Sequence, residues 1–341
     1  MARCVVSVVI PVYNIAPHLR QCLDSVVAQT LTELELICVD DGSTDESPSI
    51  LAEYASQDDR ITVVTQANGG PGAARNAGLD RASGEYVIFL DSDDWFEPDF
   101  LERMTSRARQ TGADVTICRA VEFDARTGRE LPSEWMLKTR YLPGPVFAPE
   151  DIAGHLFQVT YGMAWDKLYR RAFLAETAIR FPDLRNSEDL AFVFPTLLAA
   201  GRIGILDAVL IHHRVRRAGS VSNSRGGQPQ APYEAFRLVK EYLEAHGWME
   251  RYQRSFLNWA MEFLVWHVSN MEDGRVRRQY FRILRNTWLP VLRFSDHPPS
   301  YYESWSCFAK YLLARYLPYA VFSAVVKSFK AGKRLLYRGV S

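Results

Sequence analysis

Polar side chains follow three apolar segments in the first third of this 341-residue sequence. The segments and their polar ends are "VVIPVYN" with Tyr13 and Asn14, "LICVDD" with Asp40 and Asp41, and "YVIFLDSDD" with Asp91 and Asp93. Carboxylates two residues apart, as in Asp91-Ser92-Asp93, offer the hard oxygen ligands that Mg²⁺ and Mn²⁺ prefer. Such a cation neutralises the charge of a departing diphosphate. The spacing therefore allows the two carboxylates to converge on one divalent cation.

The apolar segments alternate with helical patterns, and this order predicts what positions the polar residues. Strand patterns occupy residues 5–10, 35–39, 61–65 and 86–90. Helical patterns occupy residues 16–29, 47–56 and 99–111, and "NGGPGAARNAG" opens another helix. Strand–helix alternation predicts an α/β fold with a mostly parallel central sheet and helices on both faces. Ligands of such sheets bind at the carboxyl ends of the strands, which is where the polar clusters fall.

The pattern changes beyond residue 113. A strand in "DVTICRAVEF", a loop-rich insertion, a helix in "NSEDLAFVFPTLLAAG" and a strand over residues 208–215 precede the Gly- and Ser-rich segment "RRAGSVSNSRGGQPQ". A helical region follows, with one stripe formed by Phe256, Trp259, Phe263 and Trp266. We predict a domain over residues 1–224, with halves over residues 1–112 and 113–224, and a helical C-terminal region over 225–341.

Composition excludes several classes of protein. Forty basic and forty acidic residues give zero formal net charge, which argues against nucleic acid as a partner. Five scattered cysteines lack the spacing of a metal or disulfide framework and suit a reducing compartment. The apolar N-terminal run lacks the organisation of a signal peptide, and no uncharged apolar stretch reaches the length of a membrane-spanning helix. These features predict a cytoplasmic protein.

The motifs, taken in order, resemble those of family 2 glycosyltransferases with the GT-A fold, a Rossmann-like fold of nucleotide-diphospho-sugar transferases. They are "VVIPVYN", "VDDGSTD", "GGPGAARNAG", "GEYVIFLDSDD" and "SEDLAF", and together they span two-thirds of the chain. The resemblance implies metal-dependent, inverting transfer of a sugar from a nucleotide-diphosphate donor. A UDP-sugar is the first expectation, with GDP- and dTDP-sugars as alternatives. The implied acceptor is a saccharide or lipid-linked saccharide, in the assembly of cell-surface polysaccharide.

The resemblance also implies which residues bind the donor. The nucleotide pocket is assigned to Pro11, Val12, Tyr13 and Asn14, with Tyr13 against the base. Asp40 and Asp41 correspond to aspartates that contact the base edge, and Asp41 is expected to make the direct contact. Arg75 is expected near the base or a phosphate, Asp91 and Ser92 near the ribose and donor, and Asp91 and Asp93 at the metal. Asp94 either extends this acidic cluster or is a helix-capping or solvated residue. His213 is either a further metal ligand or a structural strand residue.

The remaining assignments concern the acceptor and the phosphates. Asp189 is expected to be the general base, with Glu188 as an orienting neighbour; the alternative is that both residues favour a helix N-terminus. Trp165 is expected to stack on a sugar, and Lys167 and Arg170 to meet an anionic acceptor or phosphate. The alternative is a packed tryptophan beside a solvated basic face. Arg214, Arg217 and Ser220 are expected to bind phosphate oxygens.

Two other functions fit parts of the pattern. An NAD(P)-dependent oxidoreductase would use "NGGPGAARNAG" as a dinucleotide fingerprint. However, Arg75 stands where the third glycine should be, and the motif follows the third strand rather than the first. A non-catalytic protein that binds sugar nucleotides would need no base at Asp189.

The end of the chain is basic and aromatic. Residues 304–341 contain no Asp or Glu, and aromatic residues alternate with Lys and Arg. This composition is typical of a helix at a membrane interface, so peripheral attachment to the cytoplasmic face of a membrane is one prediction. The other is a terminal helix packed on the core with a solvated basic face.

Overall fold

The computed structural model describes residues 4–217, 229–271, 273–325 and 328. A ten-stranded sheet lies at its centre. The strands are β1 (Val6–Val12), β2 (Leu34–Asp40), β3 (Ile61–Thr65), β4 (Tyr86–Phe89), β5 (Trp95–Phe96), β6 (Val115–Asp124), β7 (Arg129–Leu131), β8 (Val146–Phe147), β9 (Lys167–Arg170) and β10 (Ile203–Val215). Their order is β3-β2-β1-β4-β9-β6-β10-β5, with β7 on β6 and β8 on β10.

Helices cover this sheet and form the C-terminal region. They are α1 (Ala16–Val27), α2 (Ser47–Gln57), α3 (Pro71–Leu79), α4 (Phe100–Thr111), α5 (Leu156–Val159), α6 (Arg171–Thr177), α7 (Glu188–Ala199), α8 (Ala231–Ala245), α9 (Met249–Asn270), α10 (Gly274–Ile283), α11 (Leu289–Val291) and α12 (Trp305–Tyr316). Residues 319–325 are helical as well. The predicted α/β class with a helical C-terminal region is confirmed.

The N-terminal half of the sheet is parallel, as the alternating pattern predicts. Strand β1 pairs in parallel with β2 and β4, and β2 pairs in parallel with β3. The prediction that Pro11 ends the first strand is wrong, because β1 continues to Val12. Its pairing with β4 stops at Val9. The N–H that proline lacks is therefore not needed on that side of the strand.

The other half of the sheet is mixed. Strand β9 lies between β4 and β6 and is antiparallel to both. Strand β10 is parallel to β6 and begins at Ile203, earlier than predicted, while the short strand β5 is antiparallel to β10. The ends of β1, β2, β4 and β10 therefore meet at one edge of the sheet.

The C-terminal helices pack on the sheet domain through an aromatic core. The ring of Trp259 on α9 lies 5.1 Å from that of Phe157 on α5, 4.4 Å from that of Phe194 on α7 and 4.0 Å from that of Phe236 on α8, measured between ring centroids. These residues belong to one apolar cluster that also contains sheet residues such as Phe89. The two predicted regions thus share a core, and the boundary at residue 224 stays a prediction.

Within the described ranges, we find no helix with the length and apolar character needed to cross a membrane. All five cysteines are unpaired, four of them buried.

Candidate active site

One cleft of about 730 Å³ opens at the carboxyl ends of β1, β2 and β4. Most of the predicted site residues line it: Pro11, Val12, Tyr13, Asn14, Asp41, Arg75, Asp91, Ser92, Asp93, Trp165, Glu188, Asp189, His213, Arg214 and Arg217. Asp40 and Lys167 are not among the lining residues. Ser220 lies outside the described residues. Folding therefore brings the donor-side and acceptor-side candidates to the same cleft.

Asp41 holds the glycine-rich turn that precedes α3. Its Oδ1 accepts hydrogen bonds from Gln66 Nε2 and Gly69 N, and its Oδ2 accepts one from Gly70 N, all at 2.8 Å. Gly70 has φ +91°, a conformation that residues with a Cβ rarely adopt. Asp40 instead accepts a hydrogen bond from Ser43 N at 3.0 Å inside the turn after β2. Of the two aspartates, Asp41 is thus the one placed at the cleft, and its contact with a base stays a prediction.

The end of β1 presents Tyr13 to solvent. Its side chain is 51 % exposed on the cleft wall. Asn14 follows with φ +47°, a left-handed conformation that asparagine tolerates well. Its Oδ1 accepts a hydrogen bond from Thr44 N at 2.7 Å, and its own N–H donates to Ser43 Oγ at 3.1 Å. These bonds tie the strand end to the turn after β2 and leave the tyrosine ring at the opening.

Three carboxylates after β4 lie close enough together to hold a cation. Oxygen atoms of Asp91, Asp93 and Asp94 lie within 4.8 Å of one another. Mn²⁺ and Mg²⁺ prefer such all-oxygen donors. Protein cations neutralise two members here: Arg75 Nη2 donates to Asp91 Oδ1 at 2.6 Å, and Arg217 Nε donates to Asp93 Oδ2. The donor set fits a divalent cation at Asp91 and Asp93.

Asp94 is fully buried and pairs with His213. Its Oδ1 accepts a hydrogen bond from Arg214 N at 2.7 Å, and its Oδ2 lies 2.9 Å from His213 Nδ1. Burial lowers the pKa of His213, but the hydrogen-bonded carboxylate of Asp94 and the nearby charges of Asp93 and Asp91 together raise it to about 9. Sequence reasoning left Asp94 between a cluster role and a capping role, and the structure places it in the cluster. A metal contact by His213 stays a prediction.

Arg75 lies buried between the two sides of the cleft. Its Nη2 bonds Asp91, its Nη1 donates to Glu188 Oε1 at 2.6 Å, and Nη1 also lies 3.1 Å from Asp189 Oδ1. Its Nε has no hydrogen-bond partner in the described part of the chain. Three carboxylates surround the Arg75 guanidinium, and its approach to a base or a phosphate stays a prediction. Arginine suits this position because its planar fork contacts several carboxylates at once.

Asp189 lies in the first turn of α7 and turns towards the cleft. Within the described residues its Oδ1 makes no hydrogen bond, although the Arg75 cation is close. Burial raises the pKa of the Asp189 carboxyl well above its ordinary value, while Arg75 opposes this effect. Ser187, the residue before the helix, makes no capping hydrogen bond through its side chain. The carboxylates of Glu188 and Asp189 thus contact Arg75, which capping alone does not explain.

Arg214, near the end of β10, and Arg217, just after the strand, reach the acidic cluster. Arg214 Nε donates to the backbone oxygen of Asp93 at 2.9 Å, and its Nη2 donates to Gln21 Oε1 at 2.6 Å. The Arg214 guanidinium also lies 4.8 Å from the centre of the Trp95 ring. Burial lowers the pKa of Arg214. With Arg217 on Asp93, these contacts bring two arginine cations to the acidic cluster.

Comparison with known proteins identifies the family. The model of Glycosyl transferase family 2 matches residues 7–176. EpsH of Bacillus subtilis (strain 168) is 33 % identical over 290 residues, which cover 82 % of this chain and 81 % of EpsH. The chain belongs to glycosyl transferase family 2.

Other comparisons agree with this family. Poly(ribitol-phosphate) beta-N-acetylglucosaminyltransferase TarS of Staphylococcus aureus (strain Mu50 / ATCC 700699) is 30 % identical over 237 residues, covering 68 % of this chain and 39 % of TarS. The crystal structure of S. aureus TarS 1-349 in complex with UDP-GlcNAc shares the fold, with a TM-score of 0.70 at 24 % identity over 96 % of this chain and 92 % of that one. The GT-A expectation is confirmed, and the protein is a glycosyltransferase enzyme. The oxidoreductase and the non-catalytic binding protein are set aside.

The acceptor side of this glycosyltransferase differs from the sequence-based expectation. Trp165 is 1 % exposed and stacks on His213, with ring centroids 4.9 Å apart, so it offers no free face to a sugar. Lys167 is fully buried, and its ammonium donates to Thr160 Oγ1, Met163 O and Asp166 Oδ1 at 3.0, 2.7 and 2.6 Å. A role for either residue in direct acceptor contact is corrected on these grounds.

Arg170 also has an internal partner. Its Nη2 lies 2.8 Å from Asp114 Oδ1, at the start of β6. The side chains of Trp165, Lys167 and Arg170 thus all have partners within the protein.

Sequence reasoning missed an aromatic wall on the other side of the cleft. Tyr161, Phe263 and Trp266 line it, and Trp266 is 38 % exposed. The aromatic stripe on α9 was the available signal, but such a stripe is more typical of a core. Residues of this stripe have different environments in the structure. Trp259 is buried in the core, while Trp266, two turns further along α9, lies at the cleft.

Proposed function

We propose that this glycosyltransferase moves a sugar from a nucleotide diphosphate, first of all a UDP-sugar, to a saccharide or lipid-linked acceptor with inversion at the anomeric carbon. The observation that carries the proposal is the set of contacts that Arg75 makes with Asp91, Glu188 and Asp189. Arg75 contacts the cation-site candidate Asp91 through Nη2 and the candidate base Asp189 through Nη1. One base and one cation site across a single cleft suit direct displacement.

The chain's own residues account for the proton and the charge. Asp189 takes the proton of the acceptor hydroxyl as its oxygen bonds to the anomeric carbon and the bond from that carbon to the diphosphate oxygen breaks. The diphosphate leaves on the opposite face, which inverts the configuration. Arg214 and Arg217 are placed to hold its oxygens. A divalent cation at Asp91 and Asp93 would neutralise the charge that develops on the leaving group.

The choice of UDP and of a polymer acceptor has support from relatives. TarS carries the name of a poly(ribitol-phosphate) beta-N-acetylglucosaminyltransferase, and its structure was obtained with UDP-GlcNAc. We therefore propose a role in assembling a cell-surface polysaccharide from the cytoplasmic side. The unpaired cysteines suit that reducing compartment.

A donor screen with and without Mn²⁺ tests this function. We expect nucleoside diphosphate release from a UDP-sugar, a fall of at least about a hundredfold in excess EDTA, and recovery on adding Mn²⁺ or Mg²⁺, because such a cation contributes several kcal/mol to leaving-group stabilisation. Asp93→Asn should raise the Mn²⁺ concentration needed for half-maximal rate. Asp59→Asn, at an exposed position, is the matched control. Activity that EDTA leaves unchanged would contradict the cation site.

Tyr13→Ala tests the nucleotide pocket. We expect UDP binding to weaken by about 1–3 kcal/mol, the usual contribution of one aromatic ring stacked on a base. The free energy of unfolding should change little, because the ring is half exposed. Calorimetric titration with UDP and chemical denaturation measure the two quantities. Tyr316→Ala, at another exposed tyrosine outside the cleft, should alter neither. Equal UDP affinity in the Tyr13 variant would remove this residue from the pocket.

A further inference from the structure

Helix α12 is apolar on two opposite sides. Its inward side buries Cys307, Tyr311 and Ala314. On its outward side, Trp305 is 78 % exposed, Leu312 38 % and Tyr316 62 %. We call these last three residues the outer face. A helix that covers a core on one side normally carries polar residues on the other, so the outer face lacks the expected solvent-facing character.

The outer face is one continuous stripe. Its members are seven and four residues apart, which places them on the same side of an α-helix. Beyond α12, Leu317 and Val321 are also exposed, at 36 % and 42 %. Two large aromatic rings and several aliphatic side chains thus meet solvent within a short length of chain. Contiguous apolar surface of this kind marks a binding surface.

Charge indicates what covers this surface. Residues 304–341 contain seven Lys and Arg and no Asp or Glu. Arg315 is exposed beside Tyr316, whereas Lys310 on the same helix pairs with Glu262. Tryptophan and tyrosine concentrate at the boundary between lipid and water, and basic residues beside them bind anionic headgroups. Apolar, aromatic and basic chemistry together match an anionic bilayer better than they match a second protein surface.

The packing of α12 connects the outer face to the proposed lipid-linked acceptor. Helix α12 packs on α9, which contributes Phe263 and Trp266 to the cleft wall. Helix α9 therefore contacts both α12 and the cleft. A protein attached through α12 would be held at the membrane, where a lipid-linked saccharide is found.

We infer that the outer face of α12 attaches this protein to an anionic membrane surface. The inward packing of α12 and this attachment are compatible, because they use opposite sides of the helix. The inference deepens the proposed setting of the enzyme, but its test needs neither donor nor acceptor, so it can fail while glycosyl transfer stands.

Cosedimentation of the full chain with vesicles tests the inference. We expect binding to vesicles of phosphatidylglycerol mixed with phosphatidylcholine, much weaker binding to phosphatidylcholine alone, and release by salt. The triple variant Trp305→Ser, Leu312→Ser, Tyr316→Ser should bind the anionic vesicles at least about tenfold more weakly, because interfacial binding scales with the apolar area inserted. Arg315→Glu should weaken anionic binding and leave the weak binding to phosphatidylcholine unchanged.

A matched control removes exposed apolar side chains elsewhere. Trp135→Ser with Val209→Ser, at residues 37 % and 48 % exposed, should bind vesicles as the unaltered chain does. Thermal unfolding and UDP titration verify that each variant is folded. The inference is overturned if the unaltered chain ignores anionic vesicles, or if the control loses as much binding as the triple variant. It is also overturned if the triple variant keeps vesicle binding and instead loses self-association in light scattering.

Discussion

Asp189→Asn is expected to lower the rate of sugar transfer about 10²- to 10⁴-fold, the range that a positioned general base contributes. The amide keeps the shape of the side chain but cannot accept the proton of the acceptor hydroxyl. Binding of UDP should stay within about twofold, because the general base acts on the acceptor and not on the nucleotide. Steady-state kinetics with saturating donor and calorimetric titration with UDP measure the two effects.

The pH dependence of the transfer rate provides a second test of Asp189. Burial raises the pKa of the Asp189 carboxyl. The base acts as a carboxylate, so the rate of sugar transfer falls as the pH drops through the raised pKa of Asp189. This fall-off lies above the ordinary aspartate pKa of about 4. This acidic fall-off should disappear from the residual activity of Asp189→Asn. Asp183→Asn, at an exposed neighbouring position, should keep both the rate and the profile. A full rate in Asp189→Asn would assign the base elsewhere.

Arg75→Lys is expected to lower kcat about a hundredfold while the protein stays folded, since misplacing a reacting group by about 1 Å has an effect of this size. A single ammonium cannot replace the two nitrogens that contact Asp91 and Glu188. We therefore expect both the cation site and Asp189 to lose their fixed positions. The acceptor KM should change less than kcat, because the described contacts of Arg75 are with carboxylates that it positions.

Arg75→Met measures how much the Arg75 cation contributes to the stability of the fold, apart from its role in positioning the site. It leaves buried carboxylates without their cation, and we expect a loss of about 3–5 kcal/mol in the free energy of unfolding. Denaturant titration measures this loss. The matched control is Arg180→Lys, where the arginine of an exposed pair with Asp80 is replaced and less than about 1 kcal/mol is expected. Normal kcat in Arg75→Lys would show that this arginine has no positioning role.

The sequence by itself determined the parallel half of the sheet. Strand β3 has the predicted bounds, and β1, β2 and β4 differ from prediction by one or two residues, because periodicity and turn residues act locally. The ordered motifs also indicated the family. They placed Tyr13, Asp41 and Asp91 at one sheet edge, since parallel strands end on the same side.

Only the tertiary structure decided which side chains are available to ligands. Trp165 and Lys167 carry stacking and charged groups, yet their neighbours His213 and Asp166 engage them in the interior. Arg75 contacts Glu188, which is far along the sequence, through the packing of α3 beside α7. Burial and long-range pairing depend on how separate segments meet in space. Residue type and local spacing carry no information about that meeting, so sequence patterns could not predict it.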